Sequence, residues 1–179
     1  MKKLVFLLVI ALLFSCAEQQ NQENQQTKVE DPELNPYVKY IGQHISSQEI
    51  IDMMADIGPV YQLTEGYGAR FYNFEYRGVE MFFTETDTLK SVFFKAIHHD
   101  TSLVLPYGLK MSDMPKKVMK KIGEPDRTYI QFHYYYYKNL VIEYNQDDTL
   151  NPYPITYISV QKLDSLDIFA PELTTKESE

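Results

Sequence analysis

The chain has no tryptophan, one cysteine and no apolar run long enough to span a bilayer. A single cysteine excludes an intramolecular disulfide, so the fold must be held by its own core. The longest apolar stretch, Leu4 to Phe14, makes a helix of roughly 16 Å against a hydrocarbon core of roughly 30 Å, too short for a permanent spanning segment. Basic residues are scarce, 17 against 25 acidic ones, and the formal charge is −8. Nucleic-acid binding needs clustered Lys and Arg on one face, so no nucleic-acid partner is expected. The one basic cluster, Lys116, Lys117, Lys120 and Lys121, reads as the solvated side of a helix. Gly-x-Ser-x-Gly, His-Glu-x-x-His and a phosphate loop are all missing. Neither enzymatic activity nor a cofactor is expected.

The N-terminus carries the strongest signal. Lys2 and Lys3 precede the apolar stretch, which ends at Ser15 and Cys16, the order of a cleavable signal peptide. Leu13-Phe14-Ser15-Cys16 resembles the lipobox of bacterial lipoproteins, with Leu three residues before the cysteine and a small residue directly before it. That resemblance implies acylation of Cys16 and a partner in membrane lipid. One acyl chain binds a membrane marginally, whereas two or more anchor stably. The expected location is the cell envelope, on the periplasmic face of the outer membrane or at the cell surface. Residues 1–15 are then the signal peptide and 16–34 a lipidated tether of Gln, Asn and Glu with no apolar surface to bury. Residues 35–170 have the length and hydrophobic content of one globular domain, and 171–179 form a polar tail. Cleavage removes Lys2 and Lys3 from the 17 basic residues, so the mature charge is about −10.

The domain repeats itself. Ser47…Ile57-Gly58 returns as Ser112…Ile122-Gly123 at an offset of 65, and Tyr76-Arg77-Gly78-Val79 returns as Tyr137-Lys138-Asn139-Leu140 at 61. The difference is assigned to a loop insertion at Thr64-Glu65-Gly66-Tyr67-Gly68. Each copy opens with a short amphipathic helix. Ser46 with Glu49 forms a capping box over Ile50, Met54 and Ile57, and Ser112 caps Met114, Val118 and Ile122. Glycine at 58 and 123, each followed closely by proline, ends the helices in a left-handed residue. Period-two runs then predict strands at 70–76, 79–85 and 89–97, and again at 128–137, 140–144 and 155–162. The expected fold is α+β: two tandem copies, about 40–97 and 105–162, of a short helix followed by a three-stranded antiparallel meander.

With Leu105-Pro106-Tyr107-Gly108-Leu109, the helix-ending Gly123-Glu124-Pro125 and a Tyr-rich hairpin, most of residues 40–162 resembles the beta-lactamase inhibitor proteins and the small outer-membrane-assembly lipoproteins. In those families a helical segment precedes a short meander, sometimes in tandem. The resemblance implies binding to other proteins and carries no contact residues with it.

Tyr134-Tyr135-Tyr136-Tyr137, with Tyr129, Phe132 and Tyr144 nearby, is the candidate binding surface. On a strand Tyr134 and Tyr136 face one side and Tyr135 and Tyr137 the other, so one pair is core and the other an exposed strip. The competing reading buries both pairs, one under the helix layer and one under a hairpin. His98-His99-Asp100 invites a metal, but adjacent strand residues diverge and no second ligand pair is spaced to help. It reads as a solvated strand end. His44 and His133 have no Ser or Cys partner in a nucleophile motif, and Asp87, Asp147 and Asp148 fall at turns where aspartate serves the backbone. The leading expectation is an envelope lipoprotein that binds a protein partner, as an inhibitor or immunity protein does. A structural accessory of outer-membrane assembly is the runner-up, and an envelope enzyme or small-ligand carrier the third reading. For the anchor, Cys16→Ser is expected to release the protein from the membrane fraction without changing its melting temperature. A variant still firmly in the membrane pellet removes the lipoprotein assignment.

Overall fold

A computed structural model describes residues 34–66, 68–145 and 153–163. The expected signal peptide, Cys16 and the expected tether up to residue 33 lie outside these, as do Asp147, Asp148 and the polar tail. The class is α+β: two helices, α1 (Gln48–Ile57) and α2 (Pro115–Ile122), lie with one eight-stranded antiparallel sheet. Its strands are β1 (Gln62–Gly66), β2 (Ala69–Phe74), β3 (Val79–Phe83) and β4 (Leu89–Lys95), then β5 (Arg127–Tyr129), β6 (Phe132–Tyr135), β7 (Leu140–Tyr144) and β8 (Ile155–Gln161). They are ordered β1-β2-β3-β4-β8-β7-β6-β5. The strands therefore form a single sheet and not two separate three-stranded meanders.

Two local misreadings account for the extra strands. Thr64 to Gly66, expected as a loop, belongs to β1, a wholly exposed edge strand paired with β2. The run expected as one strand from Thr128 to Tyr137 is instead β5, a tight turn at Ile130-Gln131, β6, and a 3-10 turn at Tyr136–Lys138. Ile130 takes φ 52 there, a left-handed conformation that β-branched residues rarely adopt, so no turn residue marks the break.

The helices form for the expected reason but start differently. Ile50, Met53 and Ile57 bury one face of α1, with Met54 at its margin, and Val118 and Ile122 bury one face of α2. Met114, expected in the stripe, is exposed. Neither serine proposed as a cap does so. Ser46 engages the ring of His44 and Ser47 donates to Gln43 Oε1 at 2.9 Å, so α1 begins without a side-chain cap. α2 likewise begins without a side-chain cap, at Met114, and Asp113 just before it ties down the helix in another way. The Asp113 side chain is fully buried, accepts the Lys110 amide at 3.0 Å, and meets Lys117 Nζ at 2.6 Å and Lys121 Nζ at 2.7 Å. Burial pushes its carboxyl up, but the two ammonium groups and the amide outweigh that and hold it below the usual carboxylate range. Two of the four lysines read as a solvated face are thus fastened to a buried carboxylate. The helices end at Gly58 and Gly123, both at positive φ but with extended ψ in place of the left-handed helical region.

Among the described residues the hydrophobic cluster lies on one side of the sheet. Tyr72, Phe74, Met81, Phe83, Val92 and Phe94 from the first four strands share a cluster with Tyr135, Leu140, Ile142, Tyr144, Ile158 and Val160 from the last four. The buried residues of both helices, of the entry segment (Ile41) and of the linker (Leu105, Leu109, Met111) join that same cluster. Each fully buried side chain of this size contributes about 1.5–3 kcal/mol.

Between β2 and β3 the chain turns through a 3-10 helix, Glu75–Arg77, and Gly78 at φ 64. A Cβ on Gly78 would lie 2.8 Å from His99 Cα and 2.9 Å from Lys95 O, both backbone atoms that cannot swing aside. His98-His99-Asp100 folds down on this turn, with Asp100 paired to Arg77. Gly78→Ala should therefore cost more than about 2 kcal/mol, combining left-handed strain with overpacking. Gly123→Ala, where a Cβ meets open space, should cost about 1–2 kcal/mol. Urea denaturation of the two variants checks the order.

Candidate functional site

The sheet alternates by residue, so the positions between the core residues form a second face. From β2 across to β6 it presents Phe71, Phe82, Phe93, Tyr157, Phe132 and Tyr134. No described helix or loop contributes to a hydrophobic cluster on this side. The rings touch in two groups: Phe71 stacks on Phe82 at 4.9 Å, and separately Phe93 meets Tyr157 edge-on at 5.8 Å with Phe132 6.3 Å from Tyr157. Phe132 is 6.5 Å from Tyr134, which is 6.3 Å from Tyr136. These separations are those of weakly attractive aromatic pairs. The rings are half-buried, which leaves an aromatic strip open on its outer side.

In the second half of the sheet the strip deepens into a hollow of about 300 Å³. Phe93, Phe132, Tyr134 and Tyr157 wall it, and Tyr129, Gln161 and Leu163 border it. Val141 and Ser159, side by side on β7 and β8, lie beneath, both buried. Charges on this face are matched locally: Lys95 Nζ lies 2.6 Å from Glu80 Oε2, and Gln131 Nε2 donates to Glu143 Oε1 at 3.0 Å. Glu143 sits in register between Phe132 and Tyr157. Burial, then the Glu143 carboxylate, push the Tyr157 hydroxyl up to about 12. Burial also raises Tyr134, offset in part by Arg127 across the β5–β6 pair.

The expected tyrosine site is thus partly reassigned. Tyr134, Tyr136 and Tyr129 belong to the open face or its border. Tyr135 does not: it is 1% exposed in the helix-side core, with its hydroxyl pushed up to about 12 by burial and then by Glu124 and Asp126. Tyr144, once grouped with the strip, lies in the same core, its ring 4.6 Å from His133. Tyr137 is 55% exposed, but the 3-10 turn breaks the alternation that would have paired it with Tyr135. Phe71, Phe82, Phe93, Tyr157 and Ser159 were missed. Their signal was present in the period-two pattern, as the positions alternate to the apolar core set.

The histidine cluster is built otherwise than a ligand set. His98 sits at φ 62 and is exposed, His99 is half-buried and shifted down by burial, and Asp100 faces Arg77 while accepting the Ser102 amide at 2.8 Å. Among the described residues no group of three His, Cys, Asp or Glu is placed to hold a metal ion. A second cavity, of about 380 Å³, lies along the linker between Leu103 and Ser112, with His99 and Tyr153 at its side. No described helix is long and apolar enough to cross a membrane.

The fold and site define an α+β protein with a one-sided core and an open aromatic sheet face. No protein-family model, no curated protein and no solved structure matches the chain.

Alkaline titration probes both faces. Tyr37, Tyr135 and Tyr157 have folded pKa values raised to about 12 against about 10 unfolded. A raised value means the folded state holds its proton more tightly, so the stabilisation is complete below about pH 10 and lost as pH rises towards 12. Tyrosinate absorbance should show a late-titrating class that converges with loss of the circular dichroism signal. Glu143→Gln should move one residue of that class to lower pH, and an unchanged titration curve would contradict the assignment of Tyr157.

Proposed function

We propose that this chain is a lipid-anchored lipoprotein of the cell envelope, attached through Cys16, that binds a partner protein with the open aromatic face of its sheet, in the manner of an inhibitor or immunity protein. The observation that carries this reading is the one-sided core. The buried residues of both helices, of the entry segment and of the linker join the cluster on one face, and no described helix or loop covers the aromatic residues from Phe71 to Tyr136 on the other. Contiguous apolar surface of this kind marks an interaction site, and tyrosine supplies large contact area with few torsions to immobilise.

The finer architecture belongs to the same proposal. The chain is a tandem duplication in which each copy gives a helix and four strands. Supporting this, each half runs 3-10 turn, helix, two strands, 3-10 turn, two strands. Core positions correspond: Phe74 with Tyr135, Val79 with Leu140, Met81 with Ile142 and Phe83 with Tyr144 at offset 61, then Leu89 with Ile155 at 66. Gly78 and Asn139, both left-handed, occupy the same turn. The open face differs between copies. Glu80 and Lys95, ion-paired in the first, stand where the second has Val141 and Gln161, both of which line the hollow.

A structural accessory of outer-membrane assembly is the second reading, favoured by the exposed β1 edge, whose unpaired backbone groups can accept a strand from a neighbour. Capture of partners from native envelope separates the two. Tyr134→Ala and Tyr136→Ala are each expected to weaken capture by about 2 kcal/mol with little change in melting temperature. Tyr76→Ala, at a tyrosine 80% exposed away from the strip, and His98→Ala should leave it intact. Loss with the last two variants and not with the first two removes the aromatic-face reading.

A further inference from the structure

Two buried hydroxyls lie on the open side of the sheet, Ser91 and Ser159, each without a hydrogen-bond partner among the described residues, and of the two Ser159 lines the hollow. Ser159 is 1% exposed on its floor, and its hydroxyl has no hydrogen-bond partner among the described residues. A buried hydroxyl left unpaired is unfavourable until an incoming group supplies the missing bond. No charged side chain lines the hollow, and the charges beside it, Lys95 and Glu143, are met by Glu80 and Gln131. A cation or carboxylate entering here would be desolvated without compensation. Phenyl and phenol rings form the walls, which suit another flat ring. An apolar cavity of about 150 Å³ admits benzene, so about 300 Å³ takes a phenol or an indole together with the start of its backbone.

Resting on the reading of the open face as a protein-binding surface, we infer that the hollow seats one donor-tipped aromatic side chain of the partner, a tyrosine or tryptophan. Its O–H or N–H donates to Ser159 Oγ while Phe132 and Tyr157 flank the ring. Interface anchors of this kind are large, neutral, and fill a desolvated pocket near the centre of the contact. In the first half the counterpart of Ser159 is Phe93, and the unpaired hydroxyl there, Ser91, does not line the hollow.

The test uses the full chain in lipid nanodiscs and four probes followed by saturation-transfer NMR: the N-acetyl amides of tyrosine, tryptophan and phenylalanine, and the methyl glycoside of N-acetylglucosamine. Because the chain contains no tryptophan, fluorescence of the tryptophan probe also reports binding without background. The tyrosine and tryptophan amides should bind about fivefold more tightly than the phenylalanine amide, the value of one neutral hydrogen bond. Ser159→Ala should abolish that preference while leaving the phenylalanine amide unchanged, and Val141→Phe, which fills the hollow, should weaken all three amides. Equal binding of the three amides to the unsubstituted chain, or a preference that survives Ser159→Ala, overturns the inference. So does tighter binding of the glycoside, or binding that appears only when residues 164–179 are removed, which would give the hollow to the protein's own chain. Probe failure with partner capture still lost in Tyr134→Ala overturns this inference alone. Capture indifferent to Tyr134→Ala overturns the reading beneath it.

Discussion

Everything in the sheet depends on the pairing of β4 with β8. Five residue pairs, from Ser91 with Gln161 to Lys95 with Tyr157, join two sets of four strands that are otherwise connected as simple antiparallel neighbours. The seam is wholly apolar on the helix side, where Val92, Phe94, Ile158 and Val160 are fully buried. Each seam strand also shifts register against its own neighbour, one residue after its start: Phe82 pairs with Ser91 but Phe83 with Leu89, and Glu143 pairs with Tyr157 but Tyr144 with Ile155. An extra residue, Lys90 or Thr156, is thereby absorbed in a bulge, which increases local twist. The bulge lets Leu89 and Val92, or Ile155 and Ile158, all face the core despite an odd spacing.

The two faces of the resulting sheet are under different constraints. On the helix side several positions at the same offset are apolar in both halves, Val79 with Leu140 and Met81 with Ile142 among them, although His133 stands at the offset of Tyr72 and Val160 at that of Phe94. On the open side they differ in kind, with an ion pair at Glu80 and Lys95 against Val141 and Gln161. Nothing packs above those positions among the described residues, so stability does not dictate their identity. The asymmetry of the open face is what gives it a distinct hollow at one end and a bare phenylalanine stack, Phe71 on Phe82, at the other.

The α+β class, both helices and the strand Leu140–Tyr144 could be read directly from residue patterns, since each has strong periodicity and is bounded by Gly, Pro or Asn. The edge strands could not. β1 is exposed along its whole length and shows no alternation, and β5 is three residues ended by a turn at Ile130 that no turn residue announces. Missing that turn placed Tyr135 and Tyr137 on one face and left the other face as a guess. The caps failed for a related reason: Ser46 and Ser112 satisfy the usual pattern, but the Ser46 hydroxyl meets His44, and buried Asp113 organises the second helix through lysines four and eight residues on. The open face was legible only in hindsight, as the complement of the core pattern, because which side the helices cover is decided by long-range packing.

The seam also sets the order in which the molecule can assemble. Each four-stranded half consists of neighbours in sequence, whose loops close quickly, whereas Ser91 and Gln161 are separated by an entire half of the domain. Loop-closure entropy thus favours forming each half before their union, and a half formed alone leaves β4 or β8 as an unpaired hydrophobic edge. Because both edges are complementary to each other and the halves are joined only through the linker around Leu103 to Ser112, β4 of one molecule can meet β8 of another with the same five pairs. Exchange of halves between neighbouring molecules is the characteristic misassembly that this topology invites.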